Sequence, residues 1–281
     1  IDHFERGRIL LTDAKILVID EADRMLDMGF VPDVERIVGF LPRIRQTLFF
    51  SATFPPEVRR LADQFLMNPK EITVSRTSSA AETVEHSFFR CSGKDFEKRA
   101  AFRALAESED VKNALVFCNR KRDVDVLAKS LRNHGLSAAP LHGDMVQSAR
   151  TETLEAFKAG KITYLVATDV AGRGIDIQGL SHVFNFDVPF HAEDYVHRIG
   201  RTGRAGAKGR AITLATPDDT KFIAAIERLL GKTIPITTIE GFVAPAPGEG
   251  GSERSGRGRG GRRSSSEGAA PRERGRRSPR P

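Results

Sequence analysis

Only two cysteines, Cys91 and Cys118, occur in the 281 residues, far apart and without a ligand-spaced partner. That excludes a disulfide framework and a cysteine-rich zinc site, and a reducing, cytoplasmic setting is expected. No run approaches ~18 consecutive apolar residues, so no membrane-spanning helix and no membrane partner are expected. No basic-then-apolar leader opens the chain. It begins at Ile1 rather than Met, from which an N-terminally truncated sequence is expected. A further absence bears on chemistry: there is no G-x-x-x-x-G-K-[ST] phosphate loop. Gly231-Lys232-Thr233 supplies its last three letters, but Ile226 stands where the first glycine belongs, and the tripeptide follows a helical pattern rather than a strand.

Charge is unevenly placed. The net +7 is almost all in the tail, where residues 244–281 hold ten Arg, no Lys and four Glu. The rest carries 34 basic against 33 acidic residues. Residues 243–281 contain almost no large apolar side chain and are expected to be a disordered Arg/Gly-rich arm. Such an arm binds nucleic-acid phosphates without reading sequence, and RNA is its expected ligand, although it lacks aromatics to stack on bases. A solubilising extension is the plainer alternative.

Ahead of the tail, short apolar strands alternate with amphipathic helices. Strands are expected at 15–20, 46–50, 71–74, 84–90, 113–118, 137–141, 162–167, 182–186 and 210–215. Helices are expected at 56–65, 96–106, 123–133, 150–158 and 219–230. Apolar strands each followed by a helix predict an α/β fold with parallel sheets covered on both faces. Small polar residues at 75–83 read as a linker between a short first block, 1–74, and a fuller second one, 84–242.

Polar clusters sit where such strands end, the place where open α/β sheets bind ligands. Asp20, Glu21 and Asp23 crowd the end of ILVI; so dense a group of carboxylates suits a cation, and Mg²⁺ shared with a phosphate is the expected one. Ser51-Ala52-Thr53 follows TLFF, CNRK (118–121) follows ALVF, HGD (142–144) follows SAAPL, and TDVAGRGID (168–176) follows YLVA. In YVHRIGRTGRAG (195–206), Arg198, Arg201 and Arg204 recur between glycines, as suits guanidinium forks reaching phosphate oxygens. Plainer readings compete. Acids favour helix starts, which would explain Asp20 to Asp23 and also Glu193 and Asp194. His142 and His197 suit structural hydrogen bonds, and Phe117 suits the core.

DEAD, SAT, HGDMVQSAR, ATDVAGRGID and HRIGRTGRAG, in that order, resemble the DEAD-box ATP-dependent RNA helicases of superfamily 2. The tail and the DEADRMLDMGF wording look most like the bacterial RhlE-like kind. The resemblance implies tandem RecA-like domains, the first incomplete, that clamp ATP, Mg²⁺ and single- or double-stranded RNA, the latter through its backbone. It implies that Asp20 holds Mg²⁺ through water and that Glu21 deprotonates the attacking water. Asp23 would couple to Ser51 and Thr53, and Arg201 and Arg204 would be arginine fingers. Gly174, Asp176 and Arg198 would join them around the nucleotide, while Gly143, Gln147, Arg150, Thr168 and Asp169 would lie along the RNA. It further implies a monomer with ribonucleoprotein partners reached through the tail. Gly172 stands where many relatives carry Ala, with little consequence expected. The family's phosphate loop lies upstream of DEAD, so this chain is expected not to turn over ATP alone. A non-catalytic RNA-binding module of second block and tail is the alternative; an ATPase acting on DNA fits the motif wording less well.

Overall fold

The computed structural model describes residues 1–73, 84–91, 93–172, 177, 179–203 and 208–237. The linker at 75–83, the arm at 243–281, Gly174, Asp176 and Arg204 lie outside the described residues.

After a short helix α1 (Asp2–Glu5), the first part of the chain runs β1 (Ile16–Ile19), α2 (Ala22–Asp27), α3 (Val31–Gly39), β2 (Gln46–Phe49) and α4 (Pro56–Phe65). Strands β1 and β2 pair in parallel, Ile16 opposite Gln46 through Ile19 opposite Phe49. The three helices cover one face. Ile19, Ala22, Val58, Leu61 and Phe65 form its core, with Leu17, Met25, Val34 and Phe49 packed against them. On the other face Ile16 and Val18 remain 58% and 55% exposed, beside exposed Leu48 and Phe50.

The second part runs β3 (Val84–Arg90), α5 (Asp95–Ser108), β4 (Ala114–Phe117), α6 (Lys121–Asn133), β5 (Ala138–Leu141), α7 (Gln147–Lys158), β6 (Tyr164–Ala167), α8 (Asp169–Gly172), β7 (His182–Asn185), α9 (Ala192–Ile199), β8 (Gly209–Ala215), α10 (Thr220–Leu230) and β9 (Ile236–Thr237). Its seven strands lie in the order β5-β6-β4-β7-β8-β3-β9, and every pairing is parallel. Alternate residues of a strand face opposite sides. Ala114 and Val116 accordingly join Phe102, Leu105, Val124 and Leu127 on the α5–α6 side. Leu115 and Phe117 join Leu165, Phe157 and Ala171 on the other. A third cluster, Phe88, Tyr195, Ile199, Ala211 and Ile226, seats α9 and α10. Burial on both faces explains why these strands read as continuous apolar runs.

The fold is thus parallel-sheet α/β, with two differences from the expected strands. Residues 71–73 form no strand; they are exposed and no ladder partner lies beside them among the described residues. Two residues at 236–237, too few to leave a periodic signal, instead add β9 beside β3. Gly231 ends α10 in the left-handed conformation at φ 67°, the usual helix stop, so Gly231-Lys232-Thr233 is a cap and not a phosphate loop.

Candidate active site

The end of β1 is tied to the end of β2 by one carboxylate. Asp23 Oδ2 accepts from Thr53 N and Thr53 Oγ1, both at 2.9 Å. Ser51 Oγ accepts from Asp23 N at 3.1 Å and donates to Thr53 O at 2.7 Å. Backbone bonds from Ala22 N to Phe50 O and from Phe50 N to Ile19 O lock the same corner. Asp23 is buried and fully engaged, so it does not share a cation with Asp20 and Glu21; the crowded carboxylates divide into one structural acid and two outward ones. Among the described residues no three metal-ligating side chains converge. Asp20 is exposed, with Oδ1 accepting from Glu21 N at 2.9 Å. A lone carboxylate of this kind fits Mg²⁺ held through the ion's own water shell, since Mg²⁺ sheds that shell reluctantly.

Glu21 sits at φ 51°, and the only other described non-glycine residue with positive φ is Asn68, a type that tolerates it. A glutamate held there at the start of α2 is backbone strain of the kind that recurs at functional sites, ~1–3 kcal/mol.

In the second part, Arg198 is 1% exposed and makes a hub. Its Nε and Nη2 donate to the two oxygens of Asp169, each at 2.7 Å. Nη2 also donates to Asn119 Oδ1 at 2.8 Å, and Nη1 to Asp187 O at 2.7 Å. The guanidinium stacks over Phe117, 5.2 Å from the ring centroid. Asp187 in turn accepts from Asn119 N and from Lys98 Nζ. One side chain therefore fastens together the strand ends after β4, β6 and β7. The resemblance assigned Arg198 to the nucleotide; its donors are instead spent inside the protein, and its work is to fix the loops. Thr168 is buried beside Asp169, and its carbonyl accepts from Gly172 N. Gly143 and Gln147 are exposed, Gln147 opening α7, and Arg150 lies half-buried one turn on. Arg201 follows α9, its N–H bonded to Arg198 O at 3.1 Å.

Gly172 matters more than its small size suggested. A Cβ there would meet Phe117 Cε1 at 2.8 Å, and Phe117 is a buried core ring that also carries Arg198. The expectation of little consequence for Ala at this position is corrected accordingly.

Asp187 escaped the sequence reading, and Asn119 entered it only as part of CNRK (118–121). Asn119 and Asp187 complete the Arg198 hub; their signal was their position just beyond β4 and β7. Asp194, read as an ordinary first-turn acid, is buried and pairs at 2.5 Å with Arg24 of α2. Nothing local marks a pair separated by so much sequence. Both thiols are buried: burial pushes Cys91 up to about 11 and Cys118 well above its ordinary value, so neither is a nucleophile.

Comparison with known proteins agrees with these corners. A DEAD/DEAH box helicase model matches residues 1–61, and a helicase conserved C-terminal domain model matches 97–206. The RNA helicase RhlB of Pseudomonas putida is 47% identical over 236 residues, 83% of this chain and 59% of that protein. The chain spans about half the length of the curated relatives it matches. Among solved structures, the L327V variant of Dbp5 from S. cerevisiae bound to RNA and ADP BeF3 gives a TM-score of 0.77 at 30% identity, covering 85% of this chain and 63% of that one. With the same coverage, that variant bound to Nup159, Gle1 H337R, IP6 and ADP gives 0.56 at 28% identity. The E. coli DEAD-box protein SrmB, in complex with RraA, is 36% identical; the match covers 98% of that chain and 58% of this one, with a TM-score of 0.54. With the acids and Ser-Ala-Thr at strand ends of a parallel sheet, the arginine motif on and just after α9, and these relatives, the chain belongs to the DEAD-box family of superfamily 2 helicases.

Proposed function

We propose that this chain is part of an ATP-dependent RNA helicase, working in the cytoplasm as a monomer, that opens short RNA duplexes without reading their sequence. The observation that carries the reading is the Asp23–Ser51–Thr53 corner, which leaves Asp20 and Glu21 at the open end of β1 while linking that end rigidly to β2. Asp20 would hold Mg²⁺ through water, and the ion would supply charge neutralisation at the phosphates. Glu21 would take the proton of the attacking water, and Arg201, with Arg204, would stabilise charge developing on the γ-phosphate, a contribution of ~10³–10⁵ in rate for arginine fingers. Gly174 and Asp176 complete the proposed nucleotide contacts, Asp176 at the ribose. RNA would run past Gly143, Gln147, Arg150, Thr168 and Asp169, met through its sugars and phosphates. The Arg/Gly arm would add salt-dependent affinity and contacts to ribonucleoprotein partners. The RhlE-like assignment rests on that arm and the DEADRMLDMGF wording.

The second reading, a non-catalytic RNA-binding module, is favoured by one fact: these 281 residues contain no phosphate loop. Both readings give RNA binding by the chain as it stands, and the helicase reading assigns turnover to a protein that also supplies that loop. Anisotropy of fluorescent single-stranded RNA tests the shared part. Arg150→Ala is expected to weaken binding similarly for RNAs of different sequence and to flatten the salt dependence. Binding unchanged by that substitution, or confined to one sequence, would contradict the placement of RNA.

A further inference from the structure

The core beneath β1 and β2 and the cores of the seven-stranded sheet are joined through a buried charge pair. Arg24 lies on α2, whose Ala22, Met25 and Leu26 pack in the first core. Asp194 lies in the first turn of α9, whose Tyr195 and Ile199 belong to the cluster that seats α9 and α10 on the seven-stranded sheet. Arg24 Nη2 and Asp194 Oδ1 are 2.5 Å apart, with the side chains 8% and 7% exposed. Asp27 holds the other prong of the fork at 3.0 Å.

Two charges leave water at a cost unless they meet in good geometry, so a buried pair selects one register of the surfaces that carry it. When the surfaces separate, each charge is rehydrated, and nothing holds them together against opening. The positions on the two helices add the functional point. Arg24 directly follows Asp23, the acid that ties β1 to β2. Asp194 lies one helical turn before Arg198, on the same face of α9, and α9 leads straight to Arg201.

We propose that Arg24 and Asp194 are positioning residues whose ion pair latches the two sheets together with Asp20 and Glu21 opposite Arg201. The purpose of the latch rests on the helicase reading above; its existence does not. Neither residue touches the reacting atoms, and the pair would act by fixing where the acids and the arginine stand relative to each other.

Energy transfer between dyes on Asp63→Cys and Lys129→Cys tests this, because both positions are exposed and both native thiols are buried. Asp194→Arg and Arg24→Asp are each expected to lower the closed-to-open ratio on the order of 100-fold or more, seen as loss of the high-transfer population. The double variant, which restores opposite charges, is expected to recover it, with circular dichroism unchanged throughout. If Arg24→Asp does not fold, Asp194→Arg and the double variant decide. Unchanged transfer in Asp194→Arg, or a loss that the double variant does not repair, overturns the latch. RNA anisotropy on the same samples separates the two ideas: no RNA binding with transfer responding as stated overturns the functional reading and leaves the latch standing.

Discussion

β1 and β4 are both four-residue apolar strands, ILVI and ALVF, yet every residue of β4 is buried while β1 alternates, with Ile16 and Val18 more than half exposed. The difference comes from neighbours. β4 lies between β6 and β7 with helices on both faces; β1 pairs with β2 and is covered on one face among the described residues. An apolar run thus reports that a strand is suited to burial on both sides, and the surrounding elements decide whether it gets it. The polar corners differ in kind as well. At β1 a carboxylate is held by hydroxyl and amide groups, whereas around β4 a buried guanidinium organises three loops.

Four outcomes would sharpen or break this contrast. Arg198→Ala removes the buried guanidinium that partly buried Asp169, Asn119 and the Asp187 carbonyl all bond to, and a loss of ~3–5 kcal/mol in the urea unfolding of the second part is expected. Arg198→Lys should not restore it, because an ammonium cannot reproduce the fork. A comparable loss is expected for Phe102→Ala, ~3–5 kcal/mol, against ~0.5 kcal/mol or less for Val18→Thr on the exposed face. Equal effects of those two would end the comparison. Gly172→Ala should cost ~1–3 kcal/mol, since Phe117 must move, and the same melts would read it.

The smallest effect is one of pH. His182 is buried, with Nδ1 against Ser181 Oγ at 2.9 Å and Nε2 3.5 Å from Glu109. Burial lowers its pKa; the Glu109 hydrogen bond and charge oppose that, and nearby Arg210 adds to the lowering. With the folded value below the unfolded one, the unfolded chain takes up the proton first on acidification. Stability should therefore fall as pH drops below ~6.5 and level off once the folded value is passed, a slope that His182→Gln should reduce.

Much of the second part was legible in the sequence because continuous apolar strands and intervening amphipathic helices recur there; its strands at 84–90 and 182–186 and its helix at 219–230, like the helix at 56–65 in the first part, fell within a residue or so of their expected bounds. Residues 71–73 misled because an apolar-polar alternation says nothing of whether a partner ladder is present. The strand-end motifs could be placed from position alone. What they touch could not: Arg198 and Arg201 look alike in a repeat of arginines, and only the packing of α9 against β7 turns Arg198 inward. The Arg24–Asp194 pair was invisible for the same reason, since a three-dimensional contact between distant residues leaves no local period.

The central claim is that the acids of β1 serve ATP chemistry only together with a phosphate loop that these residues do not contain. RNA-stimulated ATP hydrolysis by the 281-residue chain, run beside Glu21→Gln, tests it most directly. The account predicts RNA binding with no turnover in either sample; turnover that Glu21→Gln abolishes would mean that ATP is held without such a loop, and would contradict it.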